Sequence, residues 1–140
     1  MAAQLIPKDG FLLGLDVGNA RVGVALAHGI AKIPRPYGVI NNDEEIFDKL
    51  VEIINSERIE MVVVGLPRDK DGQETDQTKI SRNFADRLSK VTNVPLEFAD
   101  ESLSSIRAES SQNYKSTSDK HFDDIAACYI LEEFFGNING

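Results

Sequence analysis

The sequence predicts an α/β protein: a mixed sheet of five strands, the first three antiparallel and the last two parallel, with helices on both faces. Three observations predict it. Two apolar runs, 11–17 and 20–28, flank Gly18-Asn19, a pair suited to the tight turn of an antiparallel hairpin. Residues 61–64, Met-Val-Val-Val, are apolar at every position, the pattern of a strand buried on both faces in a parallel sheet. The later strands are separated by stretches with helical spacing, long enough for crossover connections.

The elements follow in order. A third strand is expected near Tyr37 to Ile40, after Pro34 and Pro36. Asn42 then reads as an N-cap, with Glu45 three residues on completing a capping box. Ile46, Leu50, Ile53 and Ile54 form one apolar helical stripe, with acids on the other face. Gly65-Leu66-Pro67 is expected to end the strand at 61–64, and the polar stretch 68–76 to form a loop turning at Asp71-Gly72. Asp76 can cap a second helix, whose apolar positions are Ile80, Phe84, Leu88 and Val91. Val94 to Ala99 reads as the last strand, closed by Asp100-Glu101. A short helix is expected at 103–112 and a polar, mobile segment at 113–120. Phe122, Ile125, Ala126, Tyr129 and Ile130 mark the last helix, with Gly136 as its stop. Everything from 1 to 140 is expected to form one domain, with residues 1–10 a short tail.

Composition narrows the function classes. The net charge is −8, which argues against coating nucleic acid through a global positive field. That charge is unevenly placed. Residues 41–65 carry seven acids against two bases, a solvated helix face, whereas residues 1–40 carry four bases against two acids. The first ten residues lack the apolar stretch of a signal peptide, and the apolar runs are too short to span a bilayer. The lone Cys128 cannot form an internal disulfide and reads as a small buried filler. A cytoplasmic protein with no membrane association is the expectation.

Chemistry is expected where acids sit out of place. Asp16 ends the first, strongly apolar strand, Glu101 closes the last strand, and Asp123 and Asp124 open the last helix. Sites in open α/β sheets form outside the carboxyl ends of strands, so these carboxylates can converge. Each also has an ordinary reading. Asp16 could be a turn residue, Glu101 a solvated loop acid, and Asp123 and Asp124 partners of a helix dipole. Together they suggest a cation site, because a carboxylate cluster stays ionised only with a counter-charge. Oxygen-only ligands favour Mg²⁺ or Mn²⁺, and a two-ion site can activate water and stabilise a leaving oxygen in phosphodiester cleavage. His28 and His121 lack the spacing of a zinc set.

Four stretches resemble the YqgF/RuvX family in order along nearly the whole chain: GLDVGNARVGVA (14–25), VGLPRDKDGQETDQT (64–78), FADESLSS (98–105) and FDDIAACYIL (122–131). The resemblance implies an RNase H-like fold and a nuclease acting on structured RNA, with 5′-end processing of pre-16S rRNA as the role. The same family was earlier linked to Holliday junction resolution. It implies catalytic, metal-holding acids at Asp16, Glu101 and Asp123, with Asp124 a secondary ligand. Arg21 matches the family's basic position after the turn and is implied to contact phosphate; Arg68, Lys70 and Arg107 are further candidates for holding the backbone. Two features depart from the family pattern. Ser102 stands where an Arg usually follows the Asp-Glu pair, and the loop before the last helix has only Lys115 and Lys120. Both weaken the expected phosphate contacts. The alternatives are a branched-DNA endonuclease, which would need a homodimer to present two sites, and a non-catalytic ribosome-assembly module with a relic site. A sugar-kinase or actin-like ATPase is disfavoured, since such proteins need two lobes of this kind.

Overall fold

In the computed structural model, residues 6–102, 115–118 and 121–139 are described. Five strands, β1 (Phe11–Val17), β2 (Arg21–His28), β3 (Arg35–Asn41), β4 (Ile59–Arg68) and β5 (Leu96–Ser102), form one sheet in the order β3-β2-β1-β4-β5. β1–β2 and β2–β3 pair antiparallel, β1–β4 and β4–β5 parallel. The mixed architecture read from the sequence is therefore the observed one.

Alternation along the strands builds two cores. Leu13, Leu15, Val17, Val22, Val24, Val62 and Val64 face helices α1 (Ile46–Ser56) and α2 (Asp76–Ser89). Leu12, Ala25, Ala27, Met61, Val63 and Ala99 face helix α3 (Asp123–Asn139) on the other side. The all-apolar run at 61–64 contributes to both cores, which is why it shows no alternation. The stripe Ile46, Leu50, Ile53 and Ile54 is buried as expected, and so is Cys128. No helix among the described residues is long and apolar enough to cross a membrane.

Several boundaries differ from the sequence reading. Asn42 caps no helix: its side-chain amide donates to the Gly18 carbonyl at 2.7 Å, and α1 begins at Ile46 without a side-chain cap. β4 runs on through Gly65, Leu66 and Pro67 to Arg68 because β5 continues alongside it, pairing Pro67 with Glu101 and Arg68 with Ser102. Glu101 is thus inside the last strand. Thr75, not Asp76, caps α2, in a capping box with Thr78. Val91 lies beyond the end of α2 and is half exposed. Gly136 does not stop α3, which continues to Asn139. The helix expected at 103–112 lies outside the described residues.

Candidate active site

β1, β3, β4 and β5 all point the same way, so their carboxyl ends share one edge of the sheet with the start of β2. This edge carries Asp16, Arg21 and the backbone of Glu101. On β1, Leu12, Gly14 and Asp16 face α3, since alternate residues share a face. Glu101 has the same parity as Ala99, which packs against α3, so its backbone register falls on the same face as Asp16. The Glu101 side chain lies outside the described part.

Glycine brings the helix to the acid. Gly23 sits directly opposite Asp16 in the β1–β2 ladder. A Cβ placed on Gly23 would lie 1.9 Å from the Asp123 carbonyl oxygen, so only glycine admits the first turn of α3 here. One strand over and lower, a Cβ on Gly14 would meet Leu131 at 2.6 Å and the Ala127 carbonyl at 3.0 Å. The N-terminus of α3 is thereby seated against the strand beside Asp16, with Asp123 leading.

The electrostatics follow from that placement. Burial, with the neighbouring Asp123 carboxylate adding, pushes Asp16 up from 3.8 to about 7. Asp123 has a counter-charge in Arg21, whose Nε donates to its Oδ2 at 3.1 Å. The Arg21 Nη groups make no bond among the described residues and the side chain is 37% exposed, so the guanidinium can also reach solvent. Asp16 has no donor or cation against it among the described residues. Two neighbouring carboxylates with one arginine for the pair offer the oxygen ligands that a hard divalent cation takes, and among the described residues no third Asp, Glu, His or Cys joins them.

Asp124, the secondary ligand that the resemblance implies, has its carboxylate oxygens engaged by the protein. It is fully buried and accepts three hydrogen bonds, from the Ser116 hydroxyl at 2.7 Å, the Thr117 N–H at 2.9 Å and the Thr117 hydroxyl at 2.7 Å. It fastens residues 116–118 of a segment expected from its polarity to be mobile. Arg68 is also committed: it donates to Asp100 at 3.0 Å and lies 3.5 Å from Glu74, which in turn pairs with Arg82 at 2.6 Å. Lys70 is exposed in the loop after β4. Arg107 lies outside the described residues.

Three positioning residues escaped the sequence reading. Gln77 donates its amide to the Val17 carbonyl at 2.7 Å, Asn42 holds Gly18, and the buried Thr78 hydroxyl donates to the Pro67 carbonyl. Gln77 and Asn42 tie α2 and the end of β3 to the hairpin that carries Asp16, and Thr78 ties α2 to the end of β4. The hairpin turn itself needs no positive φ at Gly18 or Asn19. Gly18 is required for closeness instead, since a Cβ there would lie 2.9 Å from the Arg21 carbonyl.

The family described as RuvX, Holliday junction resolvase, matches residues 10–137. The chain belongs to the RuvX family. A relative from Ruegeria sp. (strain TM1040), named "Putative pre-16S rRNA nuclease", is 37% identical over 136 residues, covering 93% of this chain and 87% of its own. One of the same name from Sulfurihydrogenibium sp. (strain YO3AOP1) is 30% identical and covers 91% of each chain. The structure of T. thermophilus RuvC in complex with a Holliday junction substrate is similar at a TM-score of 0.59, with 14% identity over 94% of this chain and 96% of that one. A second Thermus thermophilus RuvC structure gives 0.55 at 13% identity. The fold of this RuvX chain is thus the RuvC-like, RNase H-like fold.

Proposed function

We propose that this RuvX protein is a divalent-cation-dependent nuclease acting on structured RNA, with 5′-end processing of pre-16S rRNA in the cytoplasm as its role. The observation that carries the reading is Asp16: a carboxylate held beside Asp123 at the carboxyl edge of the sheet, with no basic side chain against it among the described residues. The substrate rests on the names of the relatives.

In this reading Asp16, Glu101 and Asp123 hold Mg²⁺ or Mn²⁺, in a two-ion site. Bound there, the cations supply positive charge that lowers the barrier to water attack on a phosphodiester and to departure of its oxygen. The chain's own residues set up that site. Asp16 must shed its proton before it can ligate, so cation affinity rises with pH through about 7, and the pH needed for activity falls as the cation concentration is raised. Arg21 fixes the Asp123 carboxylate through Nε and offers its Nη groups to a substrate phosphate. Gly23 keeps Asp123 close, and Asp124 anchors the segment leading into α3 without ligating. Lys70 and Arg107 are backbone contacts in this scheme, whereas Arg68 contributes only if it exchanges a carboxylate for phosphate.

The test is cleavage of a labelled precursor rRNA fragment by wild type and Asp16→Asn, in Mg²⁺, Mn²⁺ and EDTA, beside a four-way DNA junction. Metal-dependent cutting of the RNA, lost in a folded Asp16→Asn, is the expected result. Preferential cutting of the junction would favour the second reading, for which the RuvC-like fold and the family description speak and which needs a homodimer. No cutting of either by a folded protein would leave a non-catalytic assembly factor.

A further inference from the structure

We propose that Phe122 is a stacking platform for one unpaired base of the RNA substrate beside the cleaved phosphate. The inference rests on the nuclease reading and adds a substrate contact to it.

A single exposed apolar side chain is ordinary on a protein surface. Phe122 differs from the others in place and in support. Of the large apolar residues exposed among the described ones, Ile30 and Ile33 follow β2 at the opposite edge of the sheet, and Val91 lies past α2. Phe98 has the Arg82 guanidinium 5.6 Å from its ring centre. Phe122, 57% exposed, immediately precedes Asp123. Consecutive Cα atoms lie about 3.8 Å apart, so the ring starts within one nucleotide's reach of the carboxylate proposed to hold the cation.

Its mounting is firm. The Phe122 carbonyl accepts the Ile125 N–H at 3.0 Å, the first hydrogen bond of α3. Before it, the Ser116 hydroxyl lies 3.0 Å from the His121 carbonyl, and the His121 N–H donates to the Ser118 hydroxyl at 3.1 Å. Behind it, the Asp123 backbone rests on Gly23. An exposed ring whose backbone is tied on both sides loses little freedom on binding, which favours stacking.

The charge balance gives stacking a purpose. With a net charge of −8 and Arg68 held by two carboxylates, phosphate contacts supply less affinity than in a basic nuclease. Base–aromatic stacking is independent of salt and tolerates any base.

The experiment uses an RNA with a flexible single-stranded stretch carrying 2-aminopurine at successive positions around the cleavage point, and the full-length protein. Phe122→Leu keeps apolar bulk and removes the π-face; Phe122→Tyr and Phe122→Trp keep it. Expected for Phe122→Leu is a KM raised about tenfold with kcat within about threefold, and loss of the 2-aminopurine quench that wild type gives at one position. Tyr and Trp restore both, and an abasic nucleotide at that position raises the wild-type KM by a similar factor. The slope of log K against log salt stays as in wild type, whereas Arg21→Gln reduces it by about one. A Phe122→Leu protein with wild-type KM and quench overturns the proposal and leaves the nuclease reading intact. Wild type that binds and quenches without cutting keeps the stacking contact and removes the nuclease. Neither binding nor cutting by folded wild type removes both.

Discussion

Replacing Asp16 by Asn should make the metal-free protein more stable, and increasingly so as the pH rises. In the unfolded chain this carboxyl titrates near 3.8, and in the folded protein near 7. Between those values the native state keeps a proton that the unfolded chain has released, so stability falls as pH rises through the window. Each unit corresponds to about 1.4 kcal/mol, and the three-unit window to a ceiling of about 4 kcal/mol, reduced to about 2–3 by water that reaches the part-buried group. Below pH 4 the contribution of this titration is nil, and above 7 the cost is complete. Asn cannot ionise and carries none of it. The assay is urea unfolding of both proteins in EDTA at half-unit steps from pH 4.5 to 8.5; titrations remote from Asp16 are shared, so the difference between the two curves reports Asp16 together with the carboxylate coupled to it. Mg²⁺ at about a hundred times its Kd should then stabilise wild type by about 2.7 kcal/mol and Asp16→Asn far less. A difference that stays flat with pH, or equal stabilisation of both proteins by Mg²⁺, would refute the reasoning.

Gly23→Ala places a methyl group on the Asp123 carbonyl and should destabilise the fold by about 2–3 kcal/mol, with the chemical-shift changes concentrated in the first turn of α3. Asp124→Asn loses a buried, charge-assisted acceptor and should cost about 2 kcal/mol in urea unfolding. Its Mg²⁺ affinity by calorimetry should stay within about threefold of wild type, and a large loss would restore Asp124 as a ligand. Gln77→Ala frees the Val17 carbonyl and should cost about 1 kcal/mol, with a larger proportional loss of kcat than of stability because the hairpin bearing Asp16 loosens.

The sheet was legible because its signals are local. Residues 61–64 show no alternation since both faces are covered, and the apolar stripe of α1 matches its buried face residue for residue. Element ends were less legible, because partners distant in sequence set them. Gly65 and Pro67 look like stops, yet β5 extends the ladder past them. Asn42 has the chemistry of a cap, but the hairpin carbonyl of Gly18 takes its amide. The same limit applied to the site. Asp16 and Asp123 stood out as charges in apolar runs; Gly23 did not, because its requirement comes from a helix a hundred residues later. A glycine inside a strand is nonetheless a readable sign of close backbone approach, and it lies across the ladder from the acid it serves.

The Asp-Asp pair that opens α3 shows how one residue type takes two roles. Both acids sit at the positive end of the helix, which favours each of them. Adjacent helical positions are about 100° apart, so they cannot face the same surroundings. Asp124 turns toward the chain before the helix and has three donors of its own, which makes a fully buried charge tolerable. Its charge also adds to burial in pushing the Cys128 thiol, one turn on, up to about 12, which keeps that sulfur protonated and unreactive. Asp123 turns toward the sheet edge, where its one described partner is the Nε of a half-exposed arginine. Burial raises Asp16 most and the Asp123 carboxylate adds to it, since Asp16 has no basic partner of its own among the described residues. A cation entering this region therefore gains most at Asp16 and Asp123, where it relieves repulsion, and little at Asp124, where it would have to displace bonds already made. The placement of donors separates the acid that the protein already satisfies from the acids proposed to hold a cation, and the spacing of the acids alone could not.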